Sequence, residues 1–211
     1  MDGTLVDSMD EWANKMLDIL KEDGIDYPEN IISIITPLGY RSSAELFKKM
    51  GVKGSYDEIV DRMCNYAVDA YANRIIPKKG VPEYLKKLRS QGHVLAVLTA
   101  SPHYTVDVCL KRNGIYDLFE KVFTVDDFGL VKAQPEIYFE TAKALGTDIS
   151  QITFFDDNLT ALKTAKLAGL ETIGVYDKAS DSDTEEIKAT VDRYITSFEE
   201  LVKKLKSARQ F

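Results

Sequence analysis

The chain has 211 residues, of which 45% are hydrophobic and 29% charged, and carries a net charge of −7. That length suffices for one good core, or for a core plus a small accessory domain. The acidic balance argues against a nucleic-acid binder, whose affinity is built from clustered Lys and Arg, but leaves small anionic substrates open, since a few local cations decide that.

From Glu11 to about Ile76 the pattern is helical. Trp12, Met16, Ile19 and Leu20 recur at helical spacing, then Ala44, Phe47, Lys48 and Met50, then Ile59, Met63, Tyr66, Ala67 and Ala70. Gly24, Pro28, Pro37, Gly39, Gly51 and Gly54 punctuate these runs, and no strand is expected among them. From Val81 onward, strands and helices alternate. The apolar runs Val94–Thr99, Lys121–Val125, Ile152–Asp156, Thr172–Tyr176 and Arg193–Thr196 read as strands. Val81–Gln91, Tyr104–Arg112, Pro135–Leu145, Leu159–Leu167 and Phe198–Ala208 read as helices. Strands apolar on both faces and joined by helices predict a parallel α/β sheet covered on both sides. The acidic stretch Asp181–Glu186 reads as a solvated loop or helix start.

Met1-Asp2-Gly3-Thr4 is turn chemistry with no strand beneath it. Functional loops of open α/β sheets lie beyond the carboxyl ends of strands, so an upstream strand is expected. Cys64 and Cys109 show no metal or redox spacing, which predicts buried thiols in a reducing compartment. No apolar run approaches the ~20 residues of a membrane span, and no signal-peptide pattern opens the chain. A cytoplasmic protein, monomeric or weakly dimeric, is expected.

Several residues suit phosphoryl chemistry, which mainly needs positioning and stabilisation of oxygen charge. Asp156 and Asp157 are paired hard-oxygen donors for a divalent cation, and such neighbours are costly without one. Lys132 supplies fixed positive charge, and Thr99 a hydroxyl donor. Each also has a plain structural role: Thr99 as a turn cap, Lys132 as a surface lysine, Asp156-Asp157-Asn158 as a helix N-cap cluster. Asp7-Ser8 reads as helix capping, His93 as a strand-edge residue, and His103 lies close to the site.

Asp2-Gly3-Thr4-Leu5-Val6-Asp7-Ser8 resembles the first motif of the haloacid dehalogenase superfamily, Asp-x-Asp-Gly-Thr. Val94–Thr99 resembles the second, Lys132 with Pro135 the third, and Phe154-Phe155-Asp156-Asp157 followed by Ala168-Gly169 the fourth. The resemblance runs from the first residues to about Tyr176. It implies a three-layer Rossmann-like core at 1–11 and 80–211 and an inserted helical cap at 12–79, as in phosphoglycolate phosphatase and beta-phosphoglucomutase. It further implies that Asp2 is general acid and base, with its main-chain carbonyl on Mg2+. Asp157 then serves as a metal ligand and Asp156 as a ligand itself or the holder of a metal-bound water, while Thr99, the amide of Ala100 and Lys132 hold phosphate.

The family's nucleophilic aspartate would stand immediately before Met1, at the end of an apolar strand of roughly 5–10 residues. The substrate-facing loop of the cap would be Pro37–Ser43, with Tyr40 and Arg41 as selectors. The expected activity is hydrolysis of a small phosphorylated metabolite through an aspartyl phosphate, without nucleic-acid or membrane partners. Alternatives are a sugar phosphomutase, or a phosphate- and metal-binding relative without the nucleophile.

Overall fold

The computed structural model describes residues 1–35 and 38–207. Four helices come first: α1 (Met9–Glu22), α2 (Ile31–Ile35), α3 (Gly39–Met50) and α4 (Tyr56–Asn73). The apolar stripes expected from spacing face inward. Met16, Ile19, Leu20, Phe47, Ile59 and Met63 have no exposed surface, each burial contributing about 1.5–3 kcal/mol. Lys48, which falls on the same spacing, is exposed and reaches the Gly54 carbonyl. α4 starts at a capping box, with the Ser55 hydroxyl accepting from the Glu58 amide and Glu58 accepting from Ser55 N.

Two segments connect these four helices to the rest, and they pair with each other. Val6 and Pro77 form an antiparallel bridge. Asp7 N donates to Ile76 O (3.0 Å) and Lys78 N to Leu5 O (2.9 Å).

The remainder runs α5 (Val81–Ser90), β1 (Ala96–Thr99), α6 (His103–Arg112), β2 (Lys121–Thr124), α7 (Val125–Phe128), α8 (Glu136–Leu145), β3 (Thr153–Asp156), α9 (Leu159–Ala168), β4 (Glu171–Val175), α10 (Thr184–Thr190), β5 (Arg193–Ile195) and α11 (Phe198–Ser207). All strand pairs are parallel, as expected. Successive residues of β3 show why there are three layers. Phe155 stacks on Phe198 of α11 (5.8 Å), while Phe154 meets Tyr138 of α8 edge-on (5.3 Å), so helices cover both faces. The Asp181–Glu186 stretch is a 3-10 turn running into α10. Pro37, in the expected substrate loop, and Ala208, at the end of the last helix, lie outside the described residues.

The strands fall into two pieces, β2-β1 and β3-β4-β5. Between the facing edges of β1 and β3 lies a cleft of about 600 Å³, lined by Val97 and Leu98 on one side and Phe154 and Phe155 on the other, with Met1 and Leu5 at its end. Val97, Leu98, Phe154 and Phe155 present apolar side chains to it.

Candidate active site

The Met1–Val6 segment folds into a tight loop, with Thr4 N (3.2 Å) and Leu5 N (2.7 Å) donating to Met1 O. Gly3 turns this loop at φ +66°, bringing its Cα against Asp157. A Cβ there would overlap the Asp157 carboxylate. Gly3→Ala is therefore expected to lower stability by about 2–4 kcal/mol, combining left-handed strain with the clash. Denaturant unfolding measures it, and an unchanged midpoint would show that the loop can shift freely. Thr4 closes the contact by donating to Asp157 Oδ1 (2.7 Å).

Asp156 ends β3 and Asp157 follows it; both are buried. Lys132 Nζ pairs with Asp156 Oδ2 at 2.7 Å, while Asp156 Oδ1 accepts from Asn158 N (2.9 Å). Asn158 in turn caps α9 by accepting from Ala161 N, so the N-cap reading of this cluster and its charge cluster coexist. Burial opposes the charge on Lys132, but Asp156 and then Asp157 and Asp2 hold its pKa above the usual value. Burial, and next the neighbouring Asp156, push the Asp157 carboxyl up to about 7. The main-chain nitrogen of Met1 is buried among Lys132, Asp2, Asp156 and Asp157.

Asp2 is held by three hydroxyls from three directions. Ser8 (2.7 Å) and Tyr71 of α4 (2.5 Å) donate to Oδ1, and Ser101 donates to Oδ2 (2.7 Å). Ser8 occupies the N-cap position of α1, yet its hydroxyl makes no cap bond and serves Asp2 instead. Thr99 ends β1 and accepts from Ser101 N (3.2 Å), so its turn-capping role also orients a ligand of Asp2. Hydroxyls both donate and accept, so this collar can hold Asp2 with or without a proton.

The fold thus brings Asp2, Lys132, Asp156 and Asp157 together, with Thr99 linked to Asp2 through Ser101. Ala100 is exposed beside them. Tyr40 is buried next to Tyr71 and Asp2. The Arg41 side chain is 70% exposed and stands 3.8 Å from Asp126 of α7. His103 pairs with Asp127 (2.9 Å). Spacing alone did not single out Thr4, Ser101 or Tyr71. Thr4 sits inside a recognised motif and Ser101 two residues after one, but Tyr71 carries no local signal.

Among the described residues, no three His, Cys, Asp or Glu side chains converge as a ready metal cage. The donor chemistry nonetheless fits a hard divalent cation. Asp157 is an oxygen donor whose ionised form is disfavoured by burial and by Asp156, and a cation would relieve that.

A cluster of buried carboxylates and a lysine, set at the carboxyl ends of a parallel sheet and roofed by helices, is the layout of an α/β enzyme that handles anionic groups. The chain belongs to the haloacid dehalogenase-like hydrolase family, whose sequence model matches residues 1–175. Hexitol phosphatase B of Escherichia coli K12 is 24% identical over 208 residues, covering 97% of this chain and 92% of that protein. Phosphoglycolate phosphatase of Psychrobacter arcticus is 25% identical over 183 residues, covering 82% and 80%. The fold is shared with CbbY of Rhodobacter sphaeroides, solved in complex with phosphate, at a TM-score of 0.82 and 22% identity over 95% of this chain and 93% of that one. No described helix is long and apolar enough to cross a membrane.

Proposed function

We propose that this protein is a magnesium-dependent phosphatase of small phosphorylated metabolites, working through an aspartyl phosphate. The observation that carries this reading is the convergence of Asp2, Lys132, Asp156 and Asp157 under a cap that reaches Asp2 through Tyr71. The cleft between β1 and β3 supports a further parallel strand there, with an aspartate as its last residue immediately before Met1. That aspartate's backbone would join the buried Met1 nitrogen, which already sits among Lys132, Asp2, Asp156 and Asp157.

The carboxylate of this residue attacks phosphorus, and the bond from phosphorus to the ester oxygen breaks. Asp2 gives its proton to the departing oxygen. It then takes a proton from the water that splits the aspartyl phosphate, releasing phosphate and restoring the carboxylate. Lys132 balances charge on the transferring group, while the Thr99 hydroxyl and Ala100 amide hold its oxygens. Asp156, Asp157 and the Asp2 carbonyl would hold Mg2+, which supplies positive charge against the phosphate oxygens. The cap excludes water and selects the leaving group.

The test is phosphate release from a metabolite panel by the full-length protein, with and without Mg2+, alongside Asp2→Asn. Release that needs Mg2+ and falls at least roughly 10²-fold in the variant is expected. Interconversion of a sugar phosphate primed by a bisphosphate, without net release, would favour a phosphomutase and refute hydrolysis.

A second check concerns the metal and its pH dependence. The folded pKa of Asp157, about 7, lies above its ordinary 3.8, so the folded state keeps a proton that the unfolded chain loses. Stability contributed this way is present below about 4 and falls as pH rises to about 7. Mg2+ bound to ionised Asp157 offsets that loss, so its stabilisation against heat should be larger at pH 8 than at pH 5. Equal shifts at both pH values would remove Asp157 from the ligand set.

A further inference from the structure

We infer that Tyr71 is a positioning residue for Asp2: together with Ser8 it fills carboxylate oxygen Oδ1, so that Asp2 passes its proton to the leaving oxygen from Oδ2. This inference rests on the phosphatase reading given above, in which Asp2 is the proton donor. It adds which of the two oxygens donates and what fixes the choice.

The two oxygens of Asp2 are held unequally. Oδ1 accepts from Ser8 (2.7 Å) and from Tyr71 (2.5 Å), one donor for each of its lone pairs. Among the described residues, Oδ2 accepts from Ser101 alone (2.7 Å), which leaves it one free position. Ser8 and Tyr71 are both buried, Tyr71 at 1% exposure, so water does not compete for Oδ1. A phenol donates more readily than it accepts, because its oxygen lone pairs are delocalised into the ring. A proton on Oδ1 would displace one of the two donors. Placed on Oδ2, the proton leaves all three hydrogen bonds intact.

The two sides also match the chemistry. Tyr71 comes from α4 and Ser8 from the start of α1, so Oδ1 faces the helices. Ser101 follows Thr99 and Ala100, which hold the transferring oxygens in the reading above, so Oδ2 faces the end of β1. The aspartate before Met1 bonds to phosphorus as the bond from phosphorus to the ester oxygen breaks. The Oδ2 proton goes to that oxygen, and its bonding pair stays on Asp2 as carboxylate. Tyr71 acts through Asp2 and not on the ester.

The test compares kcat/KM of the full-length protein and of Tyr71→Phe for two aryl esters, phenyl phosphate and 2,4-dinitrophenyl phosphate. Phenol needs a proton as it departs, whereas dinitrophenol leaves as a stable anion. Because kcat/KM covers only the steps up to that departure, the later role of Asp2 as base does not enter. Tyr71→Phe should lower the phenyl-to-dinitrophenyl ratio by roughly 10-fold or more, part of the about 10²–10⁴-fold that a placed acid contributes. Ser8→Ala opens the same oxygen from the other side and should lower the ratio in the same sense, whether or not the tyrosine variant folds. An unchanged ratio in both variants, with both esters falling equally or not at all, marks a merely structural role and overturns the inference. If Asp2→Asn also leaves the ratio unchanged, Asp2 is not the proton donor. Release from neither ester by the unsubstituted protein overturns the phosphatase reading itself.

Discussion

Lys132→Met should lower kcat/KM for phosphate release by roughly 10²–10³-fold and destabilise the protein by about 3–5 kcal/mol near pH 8, with a smaller defect at pH 5. Lys132 sits 2.7 Å from an Asp156 that is 2% exposed, and it also feels Asp157 and Asp2. Removing the cation leaves these carboxylates facing one another in a water-poor interior. Protonation is their remaining relief. Asp157, already raised to about 7, would be raised further, so the variant loses stability as pH climbs above about 4. Thermal unfolding at the two pH values measures both the size and the direction of the change. Equal melting of variant and parent at both would show that Lys132 does not neutralise the pair.

The second large effect concerns the cleft between β1 and β3. A chain bearing an apolar strand that ends in aspartate immediately before Met1 should melt at least roughly 5 °C higher than the 211-residue chain, given about 2–4 °C per kcal/mol at this size. Two sheet edges gain hydrogen bonds, and apolar side chains such as Val97 and Phe154 lose contact with water. A strand ending in asparagine should stabilise to a similar extent and yet release no phosphate. If neither extension stabilises, the cleft is not a strand site. If the asparagine form turns over, the nucleophile lies elsewhere.

Much of the architecture was legible because its signals are local. Val97 in β1 and Phe154 in β3 sit in short apolar runs, and those runs end at Thr99 and Asp156, where chemistry concentrates. Three of the first four helices, α1, α3 and α4, announce themselves through spacings such as Met16, Ile19 and Leu20, whereas the five-residue α2 shows none. The neighbours of Asp2 were hidden for the opposite reason. Tyr71 is 69 residues from Asp2 and Ser101 is 99 away; Tyr71 follows Met63 and Ala67 at helical spacing, but periodicity signals its burial and not its contact with Asp2. Thr4 to Asp157 spans 153 residues. Tyr40 and Arg41 are adjacent in the expected selector loop, but that Arg41 stands near Asp126 and Tyr40 near Tyr71 is tertiary information. The short α7 escaped notice, and of α10 only its start was suggested by the acidic stretch, since four and seven residues are too few for a helical period to stand out.

The paired connection at Val6 and Pro77 has a mechanical consequence. Two hydrogen bonds, Asp7 N to Ile76 O and Lys78 N to Leu5 O, join the outgoing and returning segments into one ribbon. The ribbon ties both ends of the four-helix segment to the sheet at one place. Tyr71 belongs to that segment and Ser101 to the end of β1, so Asp2 is gripped from both sides of the ribbon. Parting the helices from the sheet would cost Asp2 the Tyr71 hydroxyl but leave it that of Ser101.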